Sequence, residues 1–285
     1  PCEIEVDFAG SGLPRTTIVG LPDTAVRESA DRVRTALENT GFEWPRCRLT
    51  INLAPADLRK EGPVYDLPMA VGVLHGGGAL DPPGVRGTKA PAARPDLDRF
   101  IFAGELALDG RLRPIKGAVS LALHARQRGL SLCLPMVNAR GAVLVGGVHA
   151  YGCESVREGI GFLRGESPLE PLPPVDVDAA VRSAEADVDF AEVRGQETAK
   201  RALLVAPAGG HNALMIGPAG AGKTMMARAL PGILPPLTRD EVVEVTRLYS
   251  CVRAGAVAGI MGGGRPRRAP HHGASAVAVG GGGGD

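Results

Sequence analysis

The chain has 285 residues, 44% of them apolar, and 32 basic against 31 acidic side chains leave a net charge of +1. That length and apolar content suit two ordinary cores and exclude a disordered chain, and the near balance of charge gives no global field towards nucleic acid or a membrane surface. No signal peptide and no apolar run long enough to cross a bilayer is present, so a soluble protein without a membrane partner is expected.

Taken in order, Cys2 to Phe8 and Thr16 to Val19 read as strands. Leu21-Pro22-Asp23 turns into a helix over Thr24 to Asn39, whose apolar face is Val26, Ala30, Val33 and Leu37 and which Gly41 stops. Leu49, Ile51 and Leu53 alternate with Thr50 and Asn52, the pattern of a half-buried strand. Asp66 to Leu74 predicts a short apolar helix, and the proline-rich stretch from Asp81 to Asp98 predicts a loop. Phe100 to Glu105 reads as a strand, with Asp109-Gly110 as a hairpin turn towards Leu112 to Ile115. Ala118 to Arg128 predicts a helix and Leu130 to Leu134 a strand. Ser155-Val156-Arg157-Glu158 has the capping-box pattern of a helix start, and that helix ends at Gly165. Four prolines between Ser167 and Pro174 then predict an extended linker, and Glu166 to Glu192 carries eight acidic residues against one Arg. These features divide the chain into a first domain over 1–165, an acidic Pro-rich linker over 166–188 and a second domain over 189–285.

In the second domain Gly195 to Ala206 predicts a helix, and Gly209-Gly210-His211-Asn212 turns into an apolar run, Ala213 to Ile216, expected to be a strand. The next residues are Gly217-Pro218-Ala219-Gly220-Ala221-Gly222-Lys223-Thr224, followed by the helix-forming Met225 to Leu230. Gly-x-x-x-x-Gly-Lys-Thr between a strand and a helix is the pattern of a phosphate-binding loop. The glycines let backbone N–H groups curl round a phosphate, and the helix adds free N–H groups and its positive end. Lys223 would reach the β- and γ-phosphates, and Thr224 would set its hydroxyl on the nucleotide's Mg²⁺. Asp240 to Leu248 predicts a helix with Val242, Val245 and Leu248 on one face. Beyond Arg253 glycine and arginine dominate. His271 and His272 lack Cys or carboxylate ligands at useful spacing, so no metal site is expected there. The five cysteines, at 2, 47, 133, 153 and 251, form no C-x-x-C pair and read as reduced, buried thiols.

At this point a resemblance can be named. Val193-Arg194-Gly195-Gln196-Glu197, the phosphate loop, Leu230-Pro231-Gly232-Ile233-Leu234-Pro235-Pro236-Leu237 and Arg268-Ala269-Pro270-His271-His272 follow one another as in the magnesium-chelatase-like AAA+ ATPases of the YifB/ComM family. Gly20-Leu21-Pro22-Asp23, Asn52 to Gly62 and Asp66-Leu67-Pro68 resemble that family's amino-terminal domain. The resemblance implies an α/β protein, a Lon-protease-like domain followed by a truncated P-loop AAA+ domain. It implies ATP and Mg²⁺ as cofactors, a cytoplasmic bacterial setting and, for the longer parent, a homo-hexameric ring. The ComM type is a DNA branch-migration helicase of natural transformation. Gln196 matches a position near the adenine, and Arg265 to His272 a segment projecting into the ring. Two other functions stay open: an ATPase subunit of magnesium chelatase, and an ATP-binding assembly without nucleic acid.

Departures from the family pattern carry their own expectations. No apolar run ending in Asp-Glu follows Thr224, so Lys223 is the one candidate for a catalytic role here, and ATPase activity is expected of a longer parent. The start at Pro1 and the closing glycine run read as the ends of a fragment. In Lon a nucleophilic Ser follows Gly-Pro, where this chain has Val64. The partner lysine aligns with Val119. Two valines supply neither nucleophile nor base, so the first domain is expected to be proteolytically inactive.

Overall fold

Alternation of apolar and polar residues sets the first sheet. The computed structural model describes residues 2–10, 13–81, 96–183 and 188–252. In it, β1 (Glu3–Ala9), β2 (Arg15–Val19) and β3 (Arg48–Ala54) lie in the order β1-β3-β2, with β1 antiparallel and β2 parallel to the central strand. Leu49, Ile51 and Leu53 are fully buried on the inner face, where Ile4, Val6, Phe8 and Ile18 pack against the same core. Glu3, Glu5, Asp7, Arg15 and Arg48 are exposed. Helix α1 (Thr24–Asn39) starts and stops where the sequence predicts and buries Val26, Val33 and Leu37. Ala30, expected on that face, is only half-buried, and the small Ser29 takes the buried place, its hydroxyl bonded back to Ala25 O. Helix α2 (Asp66–Gly76) is buried on nearly every side, as its apolar composition requires.

A second sheet divides the cores. The strand expected over Phe100 to Glu105 is split: β4 (Phe100–Phe102) pairs elsewhere, while β5 (Glu105–Leu106) forms a hairpin with β6 (Leu112–Arg113) across the Asp109-Gly110 turn. Helix α3 (Ala118–Arg128) leads to β7 (Ser131–Pro135). Helix α4 (Met136–Ala142) leads through a 3-10 turn to β8 (Ala150–Cys153), and helix α5 (Val156–Arg164) ends on Gly165. The sheet is parallel, in the order β4-β7-β8. Phe100, Phe102, Cys133 and Cys153 face the core shared with α1, α2 and α5. Ile101, Leu132, Leu134 and Ala150 face a second core built mainly from alanines of α3 and α4. Small side chains at 118, 122, 125, 139 and 142 let these helices approach the strands closely.

Two compact units result, the first gathering the chain up to Val175 together with the segment from Val243, the second running from Asp176 to Val242. Leu169 packs on the first core and Leu172 and Val175 on the second, and Leu172 N donates to Ala150 O at 2.8 Å. The second unit contains α6 (Val177–Arg182), α7 (Glu197–Ala208) and α8 (Lys223–Ile233), and α7 and α8 meet at a cluster of Val193, Leu203, Met226 and Ala229. Helix α9 (Arg239–Val252) departs from its predicted face: the buried residues are Val242, Thr246 and Ser250, while Leu248 is exposed. Hydroxyls are tolerated there because they can bond back along the helix, as Ser250 Oγ does to Arg247 O at 2.7 Å. The proline-rich loop over 82–95 and the Arg265 to His272 segment lie outside the described residues.

All five cysteines are free; Cys133 and Cys153 are buried with their sulfurs 3.6 Å apart, whereas Cys251, expected to be buried, is exposed. The hydrogen bond between the Cys153 thiol and the Cys133 sulfur, followed by burial, pushes the Cys153 thiol well up, which favours its protonated form. Among the described residues no helix is long and apolar enough to cross a membrane.

The two halves of the amino-terminal family motif are tied together by polar clamps. Asp23 caps α1 by accepting from Val26 N at 2.7 Å, and its other oxygen accepts from Gly62 N at 3.1 Å. Asp23 N donates to Lys60 O and Lys60 N to Leu21 O, while the buried Lys60 ammonium folds back to Pro55 O. Asp66, fully buried, accepts from Arg32 Nε at 2.6 Å, from another guanidinium nitrogen of Arg32 at 3.0 Å and from Leu106 N at 3.0 Å. One carboxylate therefore joins α1, α2 and β5. Asp66→Ala strands a half-buried guanidinium and a buried amide, and is expected to cost about 3 kcal/mol. Asp66→Asn keeps an acceptor for Leu106 N and should cost less. Urea unfolding followed by the single tryptophan, Trp44 in this unit, measures both; an unchanged midpoint for Asp66→Ala would remove the clamp from the account.

Candidate nucleotide-binding site

The loop–helix junction of the second unit is set by backbone conformation. Gly220 and Gly222 both have φ of +81°, the left-handed region that a side chain disfavours, and no atom within 4 Å of either would obstruct a Cβ. Conformation, not space, calls for glycine at these two places. Gly222 is the N-cap of α8, which opens at Lys223, and Met226 N closes the first helical bond on Gly222 O at 2.9 Å. Among the described residues the amides of Lys223, Thr224 and Met225 have no backbone acceptor, so the start of α8 presents free N–H groups. Lys223 Nζ folds back over the loop and donates to Gly217 O and Pro218 O, each at 2.7 Å. Thr224 is exposed, as are Pro218 and Ala219, and Ala221 is half-buried with its N–H on Pro218 O at 3.4 Å. The loop over Gly217 to Thr224 is thus open, bordered by backbone donors and by the Lys223 ammonium, a set suited to a phosphate chain and, with the Thr224 hydroxyl, an accompanying Mg²⁺.

The expected strand before the loop is absent. Ala213 to Ile216 takes no regular secondary structure and pairs with no described strand, and Leu214 and Ile216 are 86% and 87% exposed. A strand exists only through its neighbours' hydrogen bonds, and the local apolar run cannot supply them. Of the strand–loop–helix pattern the loop and the helix form.

Gln196 lies apart from the loop in sequence, at the start of α7. It is the N-cap, exposed, with φ of +56° and no capping bond from its side chain, and no described interaction joins it to Gly217–Thr224. The helices carrying the two features share the core of Leu203 and Met226. A turn that sequence reasoning passed over orients the approach to Gln196. Asp189 accepts from Ala191 N at 2.8 Å while Glu192 accepts from Asp189 N at 3.0 Å, a reciprocal cap on the 3-10 turn Phe190–Glu192. The spacing Asp-x-x-Glu was its readable signal.

The two valines aligned with a proteolytic pair fall in one apolar cluster. Val119 is fully buried on α3, and Val64, in the 3-10 turn Pro63–Tyr65, packs against the same cluster. Lys60 is engaged with Pro55 O, and Lys116 is exposed.

Comparison with known proteins agrees with both halves. Residues 4–138 match the family described as subunit ChlI of Mg-chelatase, and residues 189–285 match magnesium chelatase, subunit ChlI. The chain is 42% identical over 283 residues to the uncharacterized protein YifB of Salmonella typhimurium, covering 99% of this chain and 52% of that protein. It is 41% identical to YifB of Escherichia coli over 99% of this chain and 52% of the relative. To the competence protein ComM of Haemophilus influenzae it is 40% identical over 98% of this chain and 52% of the relative. The chain thus spans about half the length of these relatives, and along that half it matches the YifB/ComM family of magnesium-chelatase-like AAA+ proteins.

Proposed function

We propose that the protein is an ATP-binding AAA+ motor component in which Gly217, Pro218, Ala219, Gly220, Ala221 and Gly222 form the phosphate cradle and Lys223 and Thr224 hold the nucleotide and its Mg²⁺. The observation that carries this reading is the loop–helix junction, where left-handed glycines and unpaired amides meet a lysine held only by two carbonyls. On binding, the Lys223 ammonium would exchange those carbonyls for phosphate oxygens, a stronger charge-assisted pairing. Thr224 would give Mg²⁺ its hydroxyl, and the metal would draw charge from the phosphates. Gln196, exposed at the start of α7, is the candidate for the base. Hydrolysis needs an acidic strand end and a neighbour's cation besides the cradle, so the residues of this chain contribute binding. The family match is to AAA+ ATPase-like proteins, which supports ATP as the nucleotide.

The work done with ATP is proposed to be on DNA, as a homo-hexameric branch-migration motor in the cytoplasm; the ComM relative, named as a competence protein, supports this. The second reading, an ATPase subunit of magnesium chelatase, is favoured by the descriptions of the two matched families. ATP turnover by the whole protein separates them: stimulation by branched DNA supports the first, stimulation only by chelatase partner proteins the second.

Two expectations follow from the residues. Lys223→Ala should weaken an Mg²⁺-nucleotide analogue by at least about 100-fold in calorimetry, while thermal unfolding stays within about 1 kcal/mol of the parent, since a half-buried side chain lying over an open loop leaves no enclosed cavity. Equal affinity in the variant would overturn the site. The first domain is proposed to be a scaffold without peptidase activity, because Val64 and Val119 offer neither oxygen nor amine to a Ser–Lys dyad. Casein should survive incubation with the whole protein; degradation that disappears on Lys116→Ala would refute this.

A further inference from the structure

Two neighbouring parallel strands of the second sheet send the chain to opposite faces. After β7, helix α4 packs on the alanine-rich core through Ala139 and Ala142; after β8, helix α5 packs on the core shared with α1 through Val156 and Ile160. Adjacent parallel strands that part in this way leave a crevice beyond their carboxyl ends, the usual seat of ligands in open α/β sheets. A cavity of about 260 Å³ lies there, between the residues that follow Pro135 and those that follow Cys153. Arg111 and Leu112 at β6, with Pro114 behind it, form a third wall. The walls are tied to one another. Leu112 N donates to Glu154 O at 2.8 Å. The buried Asn138 of α4 accepts from Ile115 N at 2.9 Å and donates to Ile115 O at 2.8 Å. Gly152 lets α4 approach so closely that a Cβ there would stand 2.7 Å from Met136 Sδ.

The lining carries both signs of charge. Arg111, Arg140 and Glu154 border the cavity, and all three are exposed. Arg111 Nε is engaged by Asp109 at 2.8 Å. Among the described residues the side chains of Arg140 and Glu154 pair neither with each other nor with any third group. Met136, Val137 and Pro114 add an apolar part. We propose that this crevice binds a free apolar α-amino acid as its zwitterion. The carboxylate pairs with Arg140, the ammonium with Glu154, and the aliphatic side chain lies on Met136, Val137 and Pro114. A guanidinium and a carboxylate held apart in one cavity complement a small molecule that itself carries both charges. Size agrees: drug-sized ligands take cavities of about 300–1,000 Å³, and one just below that range suits a smaller molecule. Walls fixed by hydrogen bonds spare the ligand the cost of ordering them. The site lies within the first unit and does not depend on the nucleotide-site reading.

The test is a ligand-observed NMR titration of the whole chain with L-leucine and three analogues. L-leucine should bind saturably, with Kd of about 1 mM or tighter. Glycine lacks the apolar side chain, N-acetyl-L-leucine the ammonium and L-leucinamide the carboxylate, and each should bind at least about tenfold more weakly. Arg140→Ala should weaken L-leucine by at least about tenfold yet leave L-leucinamide within about twofold, because that analogue has no carboxylate to lose. Glu154→Ala should do the same for L-leucine and leave N-acetyl-L-leucine within about twofold. Thermal unfolding confirms that both variants fold, and the analogues test the site in the unaltered chain. No saturable binding of L-leucine, glycine binding as well as L-leucine, or an Arg140→Ala variant with parental affinity overturns the proposal. N-acetyl-L-leucine binding as tightly as L-leucine also overturns it, and would point to the carboxyl terminus of a peptide.

Discussion

A buried carboxylate that has to be satisfied organises the first unit. Asp66 is shut off from water, where an unpaired charge would be far too costly to keep. Its partners come from three places in the chain: the guanidinium of Arg32 on α1, the amide of Leu106 on β5 and, by position, its own helix α2. Arg32 is itself held, one of its nitrogens reaching Ser29 Oγ at 2.8 Å. The ion pair fixes how α1 and α2 meet under the first sheet. A few residues away Asp23 and Lys60 fix how the turn before α1 meets the loop before α2. Several of the residues that carry the family resemblance in this half, Asp23, Lys60, Gly62 and Asp66 among them, lock elements together.

The second unit follows another logic. Its site is made of backbone, with two left-handed glycines and the first turn of α8, and only Lys223 and Thr224 add side-chain chemistry. Among the described residues one cluster of it gathers four buried apolar side chains with a few partly buried partners, and the apolar residues before the loop are left in water. The first unit is the opposite: two cores on either side of one parallel sheet, and clamps between its helices. The buried polar clamps lie in one unit, and the candidate phosphate loop in the other.

Much of this was legible in the sequence, for reasons that can be named. Helix α1 was found to the residue because its apolar spacing, its Asp23 cap and Gly41 agree. β3 was found because strict alternation of Leu49, Ile51 and Leu53 has no helical counterpart. The stretch Gly217 to Thr224 stood out because its spacing is rarely met by chance, and the left-handed glycines and the helix start that the spacing calls for are present. What escaped was whatever depends on distant partners. β4 and β5 read as one strand, since nothing local says that Phe102 pairs with Cys133 while Leu106 pairs with Leu112. α4 and β8 are short and contain glycine, so neither has enough residues to display a period. The face of α9 was misread because hydroxyl residues, counted as polar, lie on its buried side. Ala213 to Ile216 was expected to be a strand on composition alone, and a strand also needs company. Gln196 was taken from the family pattern, and its left-handed backbone could not have been inferred from neighbours.

The position of β3 in the middle of its sheet has a consequence for synthesis. β1 and β2 leave the ribosome before β3, yet among the described residues they do not pair with each other; each pairs with a strand whose last residue is Ala54. Until then two short segments, one acidic and one nearly uncharged, wait for that strand. The second sheet repeats the arrangement, with β4 waiting for β7. At about 5–20 residues per second the first wait lasts a few seconds, long compared with hairpin formation but short compared with most aggregation. The carboxylates of β1 would keep nascent chains on neighbouring ribosomes apart during that interval, so the charges exposed on the finished strand also guard the unfinished one.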